Sequence, residues 1–174
     1  NPFVDVAEKD YFYEPVLWAV EKGITGGMDA THFAPGNPCT RGQVVTFLWR
    51  AKGAPEPKST NHPFTDISAD KYYYKAVLWA VENGITAGLT ATTFAPNNAC
   101  TRGQIATFLW RANGSPEPQS SNNPFSDVTG GPFYKAILWA VEEGVTGGYS
   151  DGTFRPNNVC TRGNIVTFLF RAEQ

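Results

Sequence analysis

The sequence predicts an all-α protein built from three helix-loop-helix repeats that close around a pseudo-threefold axis. The first observation is a motif, Cys-Thr-Arg-Gly, that occurs three times and is followed each time by the apolar spacing of an amphipathic helix. The second is a set of tryptophan, glycine and phenylalanine positions that recur with a period of about 60 residues, which indicates internal repeats. The motifs begin at Cys39, Cys100 and Cys160, and the matching tryptophans are Trp18, Trp79 and Trp139.

Composition limits the class of protein and the kinds of partner. The 174 residues are 41% hydrophobic and 17% charged, which supplies a core and argues against disorder. The formal net charge of -2 lacks the basic excess of a nucleic-acid footprint, so we expect no nucleic-acid partner. No apolar run approaches the roughly 18 residues of a membrane span, so we expect no membrane insertion. Because the chain starts inside a motif at Asn1 without a signal peptide, we interpret it as a mature protein or an excised fragment.

Each repeat opens with a phenylalanine and an aspartate and then forms its first helix. That helix is apolar on nearly all sides, which indicates a buried position with its tryptophan in the core. A glycine after the last turn is placed to adopt the left-handed conformation that ends a helix. The predicted first helices span about Glu14–Lys22, Lys75–Asn83 and Lys135–Glu143, and the terminating glycines are Gly23, Gly84 and Gly144.

A glycine-bearing loop leads to the second helix, which starts at the threonine of the repeated motif. Threonine is a favoured N-cap, and Gln43 or Gln104 three residues later can complete a capping box. Asn164 is shorter, so we expect the third box to stay open and the third helix start to be looser. An arginine in the last turn suits the negative end of the helix dipole and is interpreted as structural. These last-turn arginines are Arg50, Arg111 and Arg171.

The arginine that follows the threonine is the candidate functional residue. It lies in the first helical turn, where unpaired N–H groups and the helix dipole favour an anion. The functional hypothesis is a bidentate clamp on a carboxylate. The alternative is an ion pair with Asp5, Asp66, Asp127 or a neighbouring glutamate. The three arginines are Arg41, Arg102 and Arg162.

Connectors rich in proline and serine join the repeats at residues 53–59 and 114–120. With them the chain divides into three repeats, residues 1–57, 58–118 and 119–174. One helix pair buries too little surface to be stable alone, so the helices must be shared between repeats. The terminal repeats are not polar variants, which favours a closed pseudo-threefold arrangement over an open solenoid. We therefore expect a monomer with internal pseudo-threefold symmetry.

The sequence offers little support for metal or catalytic chemistry. Three equivalent cysteines cannot all pair with one another, so we expect buried free thiols. A metal site would need clustered ligands, and the chain has only His32 and His62 and no Cys-x-x-Cys. Glu142 and Glu143 lack a partner in a cleft, and no nucleophile elbow or phosphate loop occurs. We expect no enzyme, no catalytic residue, no metal and no cofactor.

The repeated motifs resemble S-layer homology repeats over nearly the whole chain. The matching patterns are Phe-x-Asp-Val, Ala-Val-x-Trp-Ala-Val-Glu-x-Gly-Ile-Thr, Gly-x-x-Asp-Gly-Thr-Phe-x-Pro and Thr-Arg-Gly-Gln. The resemblance implies a pseudo-threefold S-layer homology (SLH) assembly that anchors a secreted protein non-covalently to the bacterial cell wall. It also implies that an anionic, pyruvylated secondary cell-wall polysaccharide binds in grooves between repeats, with the motif arginine as a ligand contact. The module would be fused to a secreted cargo or an S-layer region at the bacterial cell surface.

Departures from the family pattern bear on the proposed grooves. Glycine replaces the motif alanine, which costs about 1 kcal/mol of helix stability at each position but leaves space beside the first turn. Glutamine or asparagine replaces the motif acid, which removes a negative charge next to the proposed anion. The Asp-Gly turn of the preceding loop survives only as Asp151-Gly152, so we do not expect equivalent grooves. The glycines are Gly42, Gly103 and Gly163.

The sequence therefore predicts one set of ligand-binding residues and two possible functions. Tyr149 and Asp151 are placed to reach a ligand hydroxyl, although turn chemistry also explains Asp151. The alternative function is a protein–protein interaction module that recognises an acidic segment of a partner in the same grooves. The predicted ligand-binding residues are Arg41, Arg102, Arg162, Gln43, Gln104, Tyr149 and Asp151.

Overall fold

A computed structural model describes all residues from Asn1 to Gln174 and contains six helices and no strand. This confirms the predicted all-α class with two helices in each repeat. The first helix of each repeat begins and ends one residue earlier than the sequence predicted, so each includes a tyrosine at its start. The helices are α1 (Tyr13–Glu21), α2 (Arg41–Ala51), α3 (Tyr74–Glu82), α4 (Arg102–Ala112), α5 (Tyr134–Glu142) and α6 (Arg162–Ala172). None of the six combines the length and the apolar character that crossing a membrane requires.

The second helices start at the predicted threonine caps. Thr40 Oγ1 accepts a hydrogen bond from the Gln43 backbone N–H at 3.2 Å, and Gln43 Oε1 accepts one from the Thr40 N–H at 2.9 Å. The expectation that Asn164 is too short for this exchange is wrong, since its Oδ1 accepts from the Thr161 N–H at 3.4 Å. That bond is the longest of the three, because the asparagine side chain has one carbon fewer and reaches only to the outer limit of a hydrogen bond.

The loop before each second helix is held by the aspartate near the start of the repeat. The Asp66 carboxylate accepts hydrogen bonds from the backbone N–H groups of Phe94 at 2.9 Å and Ala95 at 2.7 Å. Ala95 has a φ of 56°, in the left-handed region that alanine rarely occupies, so the carboxylate offsets a strained turn. Asp5 and Asp127 bind the corresponding N–H groups of their own repeats.

Helices from different repeats pack against one another, as the sequence predicted. The second helix of the first repeat packs on α3, the second helix of the second repeat packs on α5, and α6 packs on α1. At the last of these contacts the rings of Trp18 and Phe170 lie 5.6 Å apart. Trp79 and Trp139 are buried in the core and Trp18 is partly buried, in agreement with the prediction that these indoles pack inside.

The three cysteines meet in a cyclic series of backbone hydrogen bonds. The Cys39 N–H donates to the Cys160 carbonyl at 2.9 Å, the Cys100 N–H to the Cys39 carbonyl at 2.8 Å, and the Cys160 N–H to the Cys100 carbonyl at 2.8 Å. All three are buried free thiols, as predicted. Burial raises the pKa of the Cys39 and Cys100 thiols to about 12, so they pack as small hydrophobes. The bond from the Cys39 N–H to the Cys160 carbonyl closes this cycle by joining the first repeat to the third.

Candidate functional site

Each motif arginine is the first residue of its helix and extends into the neighbouring repeat. Arg41 Nε donates to the Phe94 carbonyl oxygen at 2.8 Å, and Arg102 Nε donates to the Phe154 carbonyl oxygen at 2.8 Å. Arg162 Nε donates to the Phe33 carbonyl oxygen at 2.7 Å, from the third repeat to the first. Each carbonyl belongs to the loop that an aspartate clamps, so each arginine side chain is anchored on a fixed backbone oxygen.

The motif arginines are buried cations without a carboxylate partner. Their exposed fractions are only 3% or 4%. None of the ion pairs in the structure includes them, because Asp5, Asp66 and Asp127 bind backbone N–H groups instead. The alternative of an internal ion pair is therefore wrong for these aspartates. Burial lowers the pKa of all three guanidinium groups, which makes a nearby anion favourable.

Aromatic rings take the place of carboxylates around these cations. Arg41 Cζ lies 4.8 Å from the ring centre of Phe94 and 5.4 Å from that of Phe108. Arg162 Cζ lies 4.6 Å from the ring of Phe33. Such cation–π contacts stabilise a desolvated guanidinium without neutralising its charge. The positive charge thus remains available to a ligand.

A groove of about 300 Å³ opens beside Arg102, where the second and third repeats meet the beginning of the first repeat. Arg102 Cζ lies 4.6 Å from the ring of Tyr149, which forms part of the wall. The residues that shape this groove include Tyr11, Arg102, Thr146, Tyr149, Asn164 and Arg171. Residues of all three repeats therefore contribute to one groove.

A second groove of about 300 Å³ lies beside Arg41. The Arg41 Nη2 atom is buried and has no hydrogen-bond partner within the protein. An unpaired buried donor carries a desolvation cost, which a hydrogen-bond acceptor at this atom would offset. The residues that shape this groove include Arg41, Thr86, Leu89, Gln104, Arg111 and Phe133.

The third arginine has a closer partner inside the protein. Arg162 Nη2 lies 3.5 Å from Thr25 Oγ1, at the limit of a hydrogen bond. Its Nε and aromatic contacts otherwise repeat those of the other two arginines. The three environments share one plan but differ in detail, as the loss of the Asp-Gly turn in two repeats led us to expect.

The remaining predicted site residues have distinct positions. Gln43 and Gln104 complete capping boxes, and Gln104 also lines the groove at Arg41. Tyr149 lines the groove at Arg102. Asp151 is exposed and lies outside the residues that line this groove, where it pairs with Arg155 at 2.8 Å. The structure therefore places Tyr149 and Arg102 in the same groove, whereas Asp151 does not line it.

Sequence reasoning missed several residues that line the grooves. Arg111 and Arg171 were interpreted as structural, and each does donate to a backbone carbonyl, of Ile85 at 3.2 Å and Val145 at 3.4 Å. Each also lines a groove beside a motif arginine, which doubles the positive charge there. Their recurrence in every repeat was a signal that could have marked them. Tyr11 carried no such signal, because it reaches its groove from the opposite end of the chain.

The motif glycines border aromatic rings and not open space. A Cβ added to Gly103 would lie 2.5 Å from a ring carbon of Phe133, and one added to Gly42 would lie 2.9 Å from a ring carbon of Tyr73. The space that glycine was expected to leave beside the helix start is therefore filled. Phe12 plays the same part against Gly163.

The fold is a six-helix array of three repeats in which each second helix begins with a buried arginine that has no ion-pair partner. The chain belongs to the S-layer homology domain family, whose model matches residues 2–45, 63–106 and 124–163. These three matches confirm the resemblance and the number of repeats. Membership of this family places the chain among secreted, cell-wall-associated modules of the bacterial cell surface, as predicted.

Named relatives include cell-surface proteins of much greater length. The chain is 32% identical over 166 residues to a surface-layer 125 kDa protein of Lysinibacillus sphaericus, covering 92% of the chain and 14% of that protein. It is 33% identical over 117 residues to an endoglucanase of Bacillus sp. (strain KSM-635), covering 67% and 12%. It is 27% identical over 158 residues to a cellulosome-anchoring protein of Acetivibrio thermocellus, covering 87% and 34%. The chain thus spans between 12% and 34% of the length of these relatives.

Proposed function

We propose that this chain anchors a larger secreted protein or S-layer region non-covalently to the cell wall by binding an anionic, pyruvylated secondary cell-wall polysaccharide. The observation that carries the proposal is the buried guanidinium of Arg41 or Arg102 at the wall of a groove, where no carboxylate of the protein forms an ion pair with it. The cellulosome-anchoring and surface-layer relatives support the same function.

The geometry suits a carboxylate on a sugar. Because Nε of Arg41 and Nε of Arg102 are each held by a backbone carbonyl, the guanidinium plane is fixed and the two Nη groups remain for the ligand. A carboxylate meets two parallel N–H donors in the bidentate arrangement that arginine favours. A hydrogen bond of this charged type contributes about 1.5–3 kcal/mol. The second arginine of each groove, Arg111 or Arg171, adds attraction for the same charge.

We further propose that the three repeats form a closed pseudo-threefold assembly, and that this closure builds the grooves. Support comes from the packing of α6 on α1 and from the cyclic hydrogen bonds of the cysteines. An acidic polymer that occupies two grooves of one module gains avidity, because the second binding event is intramolecular. Retention on the wall would then exceed what one groove provides.

The test is retention of the Arg41→Ala/Arg102→Ala variant on purified cell walls stripped of protein. We expect wild-type protein to bind and the double variant to lose retention, because both grooves lose their fixed cation. The matched control is Lys75→Ala, which removes an exposed cation paired with Glu56 at 2.6 Å. Thermal unfolding of each variant shows whether the fold is kept.

Two comparisons separate this proposal from recognition of an acidic protein segment. Walls from which the glycopolymer has been removed should no longer retain the wild-type chain, whereas a protein-binding module would be indifferent to that treatment. Soluble pyruvylated N-acetylmannosamine should compete with walls, and the unsubstituted sugar should not. Full retention of the folded double arginine variant would refute the assignment of these arginines.

A further inference from the structure

The loop that faces the motif arginine differs among the three repeats at one position. Tyr149, Leu89 and Met28 are structural counterparts, since each backbone N–H donates at 2.8 Å to the carbonyl of the residue four positions later. Tyr149 lines the groove at Arg102 and Leu89 lines the groove at Arg41. A phenol in one groove therefore stands where the other has an aliphatic side chain.

Tyr149 is held between two cations. Its ring centre lies 4.6 Å from Arg102 Cζ and 4.1 Å from Arg155 Cζ. Arg155 is fixed in turn by Asp151 at 2.8 Å and by Thr153 Oγ1 at 3.1 Å. The Tyr149 side chain is partly buried, and its hydroxyl has no hydrogen-bond partner in the protein. A positioned and unpaired hydroxyl beside a buried cation is available to a ligand.

A second phenol closes the same groove from the first repeat. Asn164 Nδ2 donates to Tyr11 Oη at 2.8 Å, and the amide orientation follows from Asn164 Oδ1, which accepts the Thr161 N–H. Since Tyr11 Oη accepts this bond, its own proton is left to donate to a ligand oxygen. The asparagine that replaces glutamine in this repeat therefore has a role beyond the helix cap.

The groove at Arg41 has neither phenol. Pro132 is the counterpart of Tyr11 there, because each precedes the aromatic residue that packs on a motif glycine, Phe133 or Phe12. Leu89 replaces Tyr149. The groove keeps its two arginines but offers no phenolic hydroxyl on either wall. At Arg162 the counterparts are Met28 and Tyr72, which is an intermediate arrangement.

We infer that the groove at Arg102 is the principal binding site, taking an acidic sugar whose carboxylate is flanked by oxygen acceptors, and that the groove at Arg41 binds the same sugar less tightly. Tyr149 and Tyr11 are the specificity-determining residues, because they donate to the ring or acetamido oxygens beside the carboxylate. This inference rests on the proposed function, since it needs the carboxylate to sit on the motif arginine.

Calorimetric titration with pyruvylated N-acetylmannosamine tests the inference in single-groove backgrounds. Arg41→Ala/Arg162→Ala leaves the groove at Arg102, and Arg102→Ala/Arg162→Ala leaves the groove at Arg41. We expect the first to bind about tenfold more tightly or better, since a hydrogen bond to a charged ligand has about that effect on affinity. Equal affinity in the two backgrounds would overturn the inference.

The hydroxyl is tested by a pair of exchanges. In the first background, Tyr149→Phe keeps the ring on its two cations and removes only the hydroxyl, and it should weaken binding about tenfold, as Tyr149→Leu should. In the second background, Leu89→Tyr should strengthen binding. If Tyr149→Phe bound the sugar with unchanged affinity, the role of the hydroxyl would be overturned, even if Tyr149→Leu bound it weakly.

The outcomes separate this inference from the proposed function. If restoring or removing Arg102 has no effect on binding of the sugar, the proposed function itself fails. If the arginine substitutions abolish binding but Tyr149→Phe and Tyr11→Phe do not change it, only the specialisation of the groove fails. Each variant is compared after its thermal unfolding midpoint has been shown to match that of its background.

Discussion

Asp151 does not line the groove but affects it indirectly, because its carboxylate fixes the Arg155 guanidinium that packs on Tyr149. Hydrogen bonds from Thr153 and Arg155 lower the pKa of the Asp151 carboxyl to about 2. Since this value lies below the ordinary pKa of 3.8, the contribution of the pair to stability is present above about pH 4 and is lost as pH falls toward 2. The Asp151–Arg155 pair should therefore keep Arg155 packed on Tyr149 at the acidic pH values, down to about 4, at which a sugar carboxylate is still ionised.

Carbon-detected NMR titration of the aspartates checks this at single-residue resolution. We expect the Asp151 carboxyl to titrate with a midpoint near 2 in the wild-type chain, and Arg155→Ala to raise the midpoint toward its ordinary value. Asp29 is an internal control, because its pKa is also lowered to about 2, by Thr31 and His32, and should not move in that variant. A wild-type midpoint for Asp151 near 3.8 would contradict the pairing.

The sequence predicted individual residues well where their role is local. The threonine caps and the first-turn arginines follow from spacing within one helix, so they could be placed without coordinates. Tyr11 and Asn164 could not, because they are 153 positions apart and meet only when the third repeat lies against the first. The hydrogen-bond partners of Asp5 could not be predicted either. The sequence is equally compatible with an ion pair to an arginine and with the two backbone N–H groups that the carboxylate binds.

At the scale of the helix, the start of α4 joins two requirements that oppose each other. Alanine is better than glycine in a helix by about 1 kcal/mol, so propensity alone favours Gly103→Ala. The ring of Phe133 occupies the place of the missing methyl group, at 2.5 Å from an added Cβ. Overpacking of this kind typically costs about 1–3 kcal/mol, which exceeds or cancels the gain in propensity.

Gly103→Ala should therefore not stabilise the chain and should lower its free energy of unfolding by up to roughly 2 kcal/mol, the difference between these two effects. Chemical denaturation measures the free energy of unfolding, and Gly36→Ala is the matched control because nothing lies within 4 Å of its added Cβ. Adding Phe133→Leu to Gly103→Ala should recover part of the loss by giving the methyl group room. A more stable Gly103→Ala variant would show that the ring moves aside freely.

The helix ends were predicted to within one residue because each is marked by a strong local signal. Gly23, Gly84 and Gly144 have φ values of 68°, 69° and 69°, the left-handed conformation expected of a residue that stops a helix. What surrounds each helix start was not predicted, since the ring that packs on each motif glycine comes from another repeat. Local signals in the sequence thus located the helices, whereas the side chains that pack on each helix start are set by contacts between repeats.

At the scale of the whole molecule, no repeat contains a complete core of its own. The main helix contacts join α2 to α3, α4 to α5 and α6 to α1, so each first helix packs on the second helix of another repeat. The buried side chains form one cluster of 38 residues that draws on all three repeats. Units that share every major contact cannot unfold one at a time without exposing apolar surface on their neighbours.

Leu109→Ala in α4 should therefore unfold the entire chain at a lower temperature in a single transition. Leu109 is fully buried, and truncating such a leucine costs about 2–5 kcal/mol. The midpoint should fall by roughly 5–15 °C for a domain of this size. Hydrogen exchange measured by mass spectrometry should show faster exchange in α1 and α6 as well as in α4, because opening one repeat releases its partners.

Val4→Ala, at a side chain that is 77% exposed, should leave the midpoint unchanged. Two separate transitions, with α1 and α6 still protected after α4 has opened, would mean that the repeats fold independently and that the grooves between them are not built by closure.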